Sequence, residues 1–253
     1  MVELADTLVS GISESNLVGV RLPPSAFFVS QRSTGQRVNG SVVNEKIKSM
    51  NKKGRVAILL SGRGSNFEAI YQSSLKEDAN FEIAVVISDK EDARGLERAR
   101  EVSLPSFFVS PKELKPKEVY EQRIVAILQE HHVGLVCLAG YMRIVGQQLL
   151  DAYKGRIMNI HPALLPSFTG LHAQQQALDY GVKVSGCTVH FVDPGVDTGP
   201  IILQAAVAVQ DNDTEETLSN RILKKEHHIY SRAITLFFEN RLKIAGRKVI
   251  IAP

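Results

Sequence analysis

Apolar and polar positions along this chain sort into two alternating kinds of segment. Residues 55–60 (RVAILL), 81–88 (FEIAVVIS), 106–109 and 134–139 (GLVCLA) are short, nearly continuous apolar runs, the pattern of strands buried on both faces of a parallel sheet. Between them, 67–71 opens a helix, 93–102 forms a second, and 116–132 reads as an amphipathic helix with Val119, Ile124, Ile127 and Leu128 on one side. Further on, a strand ends at His161, a helix spans 172–180, and 183–191 alternates with Val184, Gly186, Thr188 and His190 on one side. Another strand covers 201–209. Asp213-Thr214-Glu215-Glu216 opens a long final helix with a capping signature, and 241–251 reads as a hairpin around Ala245-Gly246. This alternation predicts an α/β fold: a mostly parallel, doubly wound, Rossmann-like sheet with right-handed connections and helices on both faces.

The first fifty residues break the pattern. They carry no sustained period and are polar from Ser30 to Asn51, so 1–53 reads as a poorly ordered extension ahead of a catalytic domain over 54–253. Residues 1–53 hold seven Lys/Arg against four Asp/Glu, a net of +3 that equals the whole chain's +3, leaving 54–253 balanced. The pI of 8.8 therefore reflects the head of the chain and not a nucleic-acid surface. The basic stretch from Leu17 to Lys53 loosely suits an organelle presequence, but Glu3, Asp6 and Glu14 oppose it, which favours a cytoplasmic protein; a start at Met50 is a further reading. The only cysteines, Cys137 and Cys187, sit inside apolar runs, as buried small hydrophobes do in a reducing compartment. No apolar run approaches the ~18 residues of a membrane span.

Candidate chemistry gathers between Arg156 and Pro200. Alternation puts Asn159 and His161 on the same side of a strand, and Pro162, lacking an amide donor, ends that strand at His161. The C-terminal ends of parallel strands are where such sheets bind ligands. An imidazole moves protons near neutral pH and an amide can stabilise a developing oxyanion, a combination suited to a carbonyl centre. Asp197, in a Gly/Pro-punctuated loop, would present a carboxylate to His161 and raise its pKa. Ser61-Gly-Arg-Gly64-Ser65-Asn66 follows the first strand and precedes a helix, so it is either a phosphate-binding turn or a plain strand-to-helix connection; Phe67 occupies the third-glycine position of a dinucleotide fingerprint. Gly140 to Val145 either walls a flat ring system or simply packs on the core. His172 and His190 read as hydrogen-bonded structural histidines, His131 and His132 as a helix-end pair, and the charges of 95–100 as a solvated helix face. No cluster has metal-ligand spacing.

Asn159-Ile-His161-Pro-Ala-Leu-Leu-Pro166, then Gly170-Leu-His172, then Asp197-Thr-Gly-Pro-Ile201 resembles the folate-dependent formyltransferases, over about residues 55–245. The resemblance is nearest to the branch whose formyl acceptor is the amine of glycinamide ribonucleotide. It implies 10-formyltetrahydrofolate as co-substrate, no metal, no nucleic-acid or membrane partner, and a monomer or homodimer. It assigns catalysis to Asn159, His161 and Asp197, the substrate phosphate to Gly64, Ser65 and Asn66, and the ribose hydroxyls to Glu226. It assigns the folate to Met142, Arg143, Ile144, Val145, Asn159 and Asp193, with Lys117 near the acidic tail. Leu223 departs from the family where a polar or basic residue would approach the phosphate. A formyltetrahydrofolate deformylase, using water as acceptor, is the alternative in the same fold, and a non-catalytic nucleotide-binding module the alternative outside it.

Overall fold

The structure, a computed structural model, describes residues 53–253; the extension expected at the head of the chain lies, apart from Lys53, outside the described residues. The strands are β1 (Gly54–Leu60), β2 (Phe81–Ser88), β3 (Ser106–Phe108), β4 (Leu135–Leu138), β5 (Ile157–His161), β6 (Val184–Phe191), β7 (Ile201–Ala208), β8 (Leu242–Ala245) and β9 (Lys248–Ile251). They form one sheet in the order β3-β2-β1-β4-β5-β6-β7-β9-β8. The first five strands pair parallel, β5 to β7 run antiparallel, β7 and β9 meet in parallel, and the β8–β9 hairpin closes the edge. The parallel half is the one built by strand-helix alternation, since parallel neighbours need a crossover.

The helices are α1 (Ser65–Ser74), α2 (Arg94–Glu101), α3 (Lys117–Glu130), α4 (Gln147–Ala152), α5 (Ala173–Tyr180) and α6 (Glu215–Phe238). The pleat of β1 divides the core into two layers. Val56, Ile58 and Leu60 face one cluster with Phe67, Ile70, Leu96, Ile222, Tyr230 and Ile234, whereas Ala57 and Leu59 face the other with Tyr120, Ile124, Leu128 and Leu149. Continuous apolar runs are thus read out as two-sided burial. Thr214 caps α6 through a reciprocal capping box with Thr217, as the sequence predicts at that end.

Three local expectations change. Val119 lies 41% exposed; the buried face of α3 is Tyr120, Glu121, Ile124, Ile127 and Leu128, so that face carries a tyrosine and a carboxylate that an apolar count passes over. Helix α4 has only six residues, too short for a periodic signal. Gly95 does not merely open a charged helix. A Cβ on Gly64, whose φ is +76°, would lie 2.7 Å from Gly95 Cα, and Gly95 N donates to Gly62 O at 3.0 Å. The two glycines let the first turn of α2 close on the β1–α1 loop. The charges of α2 are also partly engaged: Arg98 pairs with Glu68 of α1 at 2.9 Å.

Tyr230 ties the long helix to the centre of the sheet. Its fully buried hydroxyl lies 3.1 Å from Leu138 O and 3.0 Å from Met158 O, reaching the end of β4 and the start of β5 from α6. Tyr230→Phe should lower stability by about 1–2 kcal/mol, seen as a fall of roughly 2–8 °C in Tm, and a variant melting with the parent would show that the hydroxyl contributes nothing.

Candidate active site

Strand register sets the position of the site. Leu59 pairs with Leu138, Leu138 with Asn159, and Asn159 with His190, so the ends of β1, β4, β5 and β6 share one row. Neighbouring strands lie about 4.8 Å apart, which puts the glycine turn after β1 roughly 10 Å across the sheet from Asn159. The expected position of His161 at the C-terminal tip of its strand holds.

Asp197 joins the pieces. Its Oδ2 lies 3.3 Å from His161 Nδ1 and accepts from Gly170 N at 2.8 Å; its Oδ1 lies 3.4 Å from Asn159 Nδ2 and 3.6 Å from His190 Nε2. One carboxylate therefore contacts β5, β6 and the 166–172 loop. Asp197 itself adopts φ +54°, unusual for a side-chain-bearing residue and tolerated best by Asp, Asn and His. The loop ends are closed by Phe191 N donating to Pro200 O at 2.9 Å, and Gly199 leaves no room for a Cβ against Phe191 O. Asp193 accepts from Thr198 Oγ1 at 2.6 Å and Gly195 N at 3.1 Å. It is bonded within the loop that carries Asp197. Arg247 of the terminal hairpin donates to Thr198 O at 3.1 Å and supports the same loop.

His161 is buried and its Nε2 donates to Phe168 O at 2.7 Å, since a carbonyl can only accept. That carbonyl is aimed by a left-handed Phe168, φ +54°. In the neutral ring the lone pair is then at Nδ1, facing Asp197. The expected rise in the His161 pKa is reversed. Burial, the largest influence, pushes it below the usual imidazole value, and the Phe168 carbonyl and the Asp197 carboxylate offset only part of that. Burial alone would raise Asp197, but the neighbouring imidazoles of His190 and His161 and the hydrogen bond from the Gly170 amide leave it below the usual carboxylate value.

His190 meets the structural expectation and adds to it. Its Nδ1 donates to Phe191 O at 2.9 Å, which leaves Nε2 as acceptor for Asn159 Nδ2 at 3.2 Å. This contact orients the Asn159 amide; the alternation of β6 marked the side of the strand, but only the antiparallel register placed His190 opposite Asn159. His172, by contrast, is exposed at the start of α5. It carries no structural role of the kind expected of it.

The glycine turn and the long helix meet through Asn66 and Glu226. Gly64 precedes α1, whose first amides, from Ser65 and Asn66 onward, lack carbonyl partners within the helix. The Asn66 side chain donates to Glu226 Oε2 at 2.8 Å, while Asn66 Oδ1 is buried without a partner. Burial raises the Glu226 pKa, and the Asn66 hydrogen bond opposes it. Leu223 is half-buried one turn earlier, with Lys224 and Lys225 turned to solvent.

The 140–146 loop begins beside the glycine turn, where Ser61 N donates to Gly140 O at 3.0 Å and Met142 N to Ser61 Oγ at 2.9 Å. Met142 and Ile144 are 64% and 65% exposed, large apolar side chains open to a ligand, but Val145 is buried in the core behind them. The structure therefore separates Val145 from its neighbours in the expected folate set. Arg143 lies over the Tyr120 ring, 5.4 Å from its centroid, and 3.9 Å from Asp89. Lys117 approaches Glu121 at 3.9 Å and, with Lys115, Tyr120 and Arg143, lines a cavity of about 570 Å³. Among the described residues no three His, Cys, Asp or Glu side chains are grouped to hold a metal ion.

The pattern of the family described as formyl transferase matches residues 54–234. Over 180 residues the chain is 48% identical to the phosphoribosylglycinamide formyltransferase of Bacillus subtilis, covering 71% of this chain and 92% of that protein. It is 44% identical over 194 residues to the trifunctional purine biosynthetic protein adenosine-3 of Drosophila melanogaster, covering 76% of this chain but 14% of that much longer protein. Among solved structures, glycinamide ribonucleotide transformylase 1 of Symbiobacterium toebii superposes with a TM-score of 0.78 at 51% identity, covering 79% of this chain and 95% of that one. With a match spanning well over half of its length, the chain belongs to the formyl transferase family.

Proposed function

We propose that the protein transfers the formyl group of 10-formyltetrahydrofolate to the terminal amine of glycinamide ribonucleotide, a step of purine synthesis. The observation that carries this reading is the convergence of Asn159, His161 and Asp197 on one carboxylate-centred cluster, in the sheet row that also holds the glycine turn. Relatives that share nearly half of the sequence bear the name of this activity.

The folate supplies an activated formyl carbon: the amine adds to it, negative charge gathers on the formyl oxygen, and the bond to the folate nitrogen breaks. The amine sheds one proton and the leaving nitrogen gains one. His161 serves as the carrier. Its Nδ1 lone pair takes the proton, and the imidazolium then lies between the Phe168 carbonyl and the Asp197 carboxylate, both of which favour the charged ring. Low pKa in the resting enzyme keeps that lone pair available near pH 7. Of the two Asn159 contacts, the one to Asp197 at 3.4 Å is longer than a well-formed hydrogen bond, so that amide hydrogen is the one free to turn toward the formyl oxygen.

The remaining roles are those the family resemblance implies. Amides of Gly64, Ser65 and Asn66 hold the phosphate, Glu226 holds the ribose hydroxyls, and Met142, Arg143 and Ile144 wall the folate, with Val145 fixing their loop from the core side. Lys117 is close enough to its cavity to meet the acidic tail, while Asp193 acts by holding the Asp197 loop.

Purified protein should release tetrahydrofolate from 10-formyltetrahydrofolate only when glycinamide ribonucleotide is present; release without the amine would indicate a deformylase. His161→Ala and Asn159→Ala should each lower kcat by about 10²-fold or more with Tm preserved, and near-parent turnover in His161→Ala would exclude the proton route. In a nuclear magnetic resonance titration the His161 ring should titrate below the ordinary value of 6.5. Asp197→Asn should move that midpoint lower still, because a negative charge that favours the imidazolium is removed; an upward movement would contradict the electrostatic assignment. Glu226→Gln should raise KM for the ribonucleotide and leave KM for the formyl donor within about twofold, whereas equal changes would place Glu226 outside the ribose subsite.

A further inference from the structure

We infer that Glu121 is a positioning residue for the folate subsite, acting through the backbone of the 140–146 loop. The inference rests on the assignment of that loop to the folate.

Glu121 is 3% exposed, on the face of α3 that packs against the sheet. A carboxylate is rarely buried unless its oxygens are bonded. Here Oε1 accepts from Gly146 N at 2.5 Å, with Lys117 Nζ 3.9 Å away as counter-charge. Gly146 is the residue immediately before α4 and the last of the loop. A Cβ there would lie 2.7 and 2.8 Å from the two Glu121 oxygens, so the absence of a side chain at this position is what admits the carboxylate.

The other end of the loop is held separately. Gly140 O and Met142 N bond to Ser61 at 3.0 and 2.9 Å, and the Tyr141 hydroxyl lies 2.6 Å from the hydroxyl of Tyr120, the residue before Glu121. Between these anchors the backbone presents Met142 and Ile144 outward. The loop is only seven residues long, and releasing one end would leave its outward side chains free to shift by about an ångström or more. Misplacement on that scale is enough to weaken a preorganised subsite severalfold to a hundredfold. Glu121 touches no reacting atom, so its loss should appear in binding of the formyl donor and not in the chemical step. The same geometry gives Lys117 a role as partner of Glu121 in addition to any contact with a ligand.

Four variants test this, each with both KM values, kcat and Tm measured. Glu121→Leu keeps the volume but removes the acceptor and should raise KM for 10-formyltetrahydrofolate about tenfold, with KM for glycinamide ribonucleotide within about twofold. Glu121→Gln retains an oxygen for the Gly146 amide and should return the folate KM to within about threefold of the parent. Ile144→Ala should raise the folate KM independently. Lys117→Met removes both the charge partner and the cation assigned to the folate tail, and sets the size of that separate effect. A tenfold rise in Glu121→Gln would mean that charge and not the backbone hydrogen bond matters, and would overturn the proposal even if Glu121→Leu failed to fold. An unchanged or equally shifted pair of KM values in Glu121→Leu, with Ile144→Ala still affecting the folate KM, would overturn the proposal and leave the loop assignment standing. No effect in either would remove the loop assignment itself and the proposal with it.

Discussion

The site depends on a single carboxylate that has to be in contact with three separate segments at once. Asp197 reaches His161 and Asn159 on β5, His190 on β6 and the Gly170 amide in the 166–172 loop. A charge in that position is costly to bury, and the cost is offset by the Gly170 and Asn159 amide hydrogens and by the imidazoles beside it in their protonated form. Each contact also constrains the carboxylate's position, so the loop carrying Asp197 cannot move without breaking several bonds. Much of the surrounding structure serves this placement: Asp193 and Thr198 bond within the loop, Gly199 closes it tightly, and Arg247 holds Thr198 from the terminal hairpin.

The same carboxylate governs the imidazole. His161 lies between a carbonyl and a carboxylate that favour its charged form, and inside a region dry enough to disfavour it. Burial dominates in the resting enzyme. In the proposed proton transfer the two acceptors would already be in place, so the charge would be stabilised without rearrangement. A poised neutral base of this kind differs from the permanently charged imidazole that proximity to an aspartate suggests by itself.

A second organising contact joins the glycine turn to the far end of the chain. Asn66 and Glu226, 160 residues apart, bond to one another within the layer formed by α1 and α6. Tyr230, one turn further along α6, reaches the carbonyls of Leu138 at the end of β4 and Met158 near the start of β5. Helix α6 thereby holds the glycine turn and strand β5 in one frame. The glycine pair Gly64 and Gly95 completes it from the other side.

The order of strands and helices apart from α4, the end of β5 at His161, the capping of α6 and the outer hairpin were all legible in the sequence, because each rests on local rules: two-residue or 3.6-residue periodicity, the missing amide of Pro162, the capping residue Thr214. The candidate residues themselves were legible as an ordered set of motifs. Their relations were not. Burial of Glu121, the core position of Val145, the exposure of His172 and Val119, and the pairing of His190 with Asn159 depend on which element lies opposite, and that is fixed by sheet order and register. The direction of the His161 shift belongs to the same group, since desolvation is a property of everything packed around the ring and is invisible from one neighbouring residue in the chain. Local backbone preferences thus set the elements and the chemical groups available; the tertiary structure alone decided which groups meet, which are dry, and which proton is free to move.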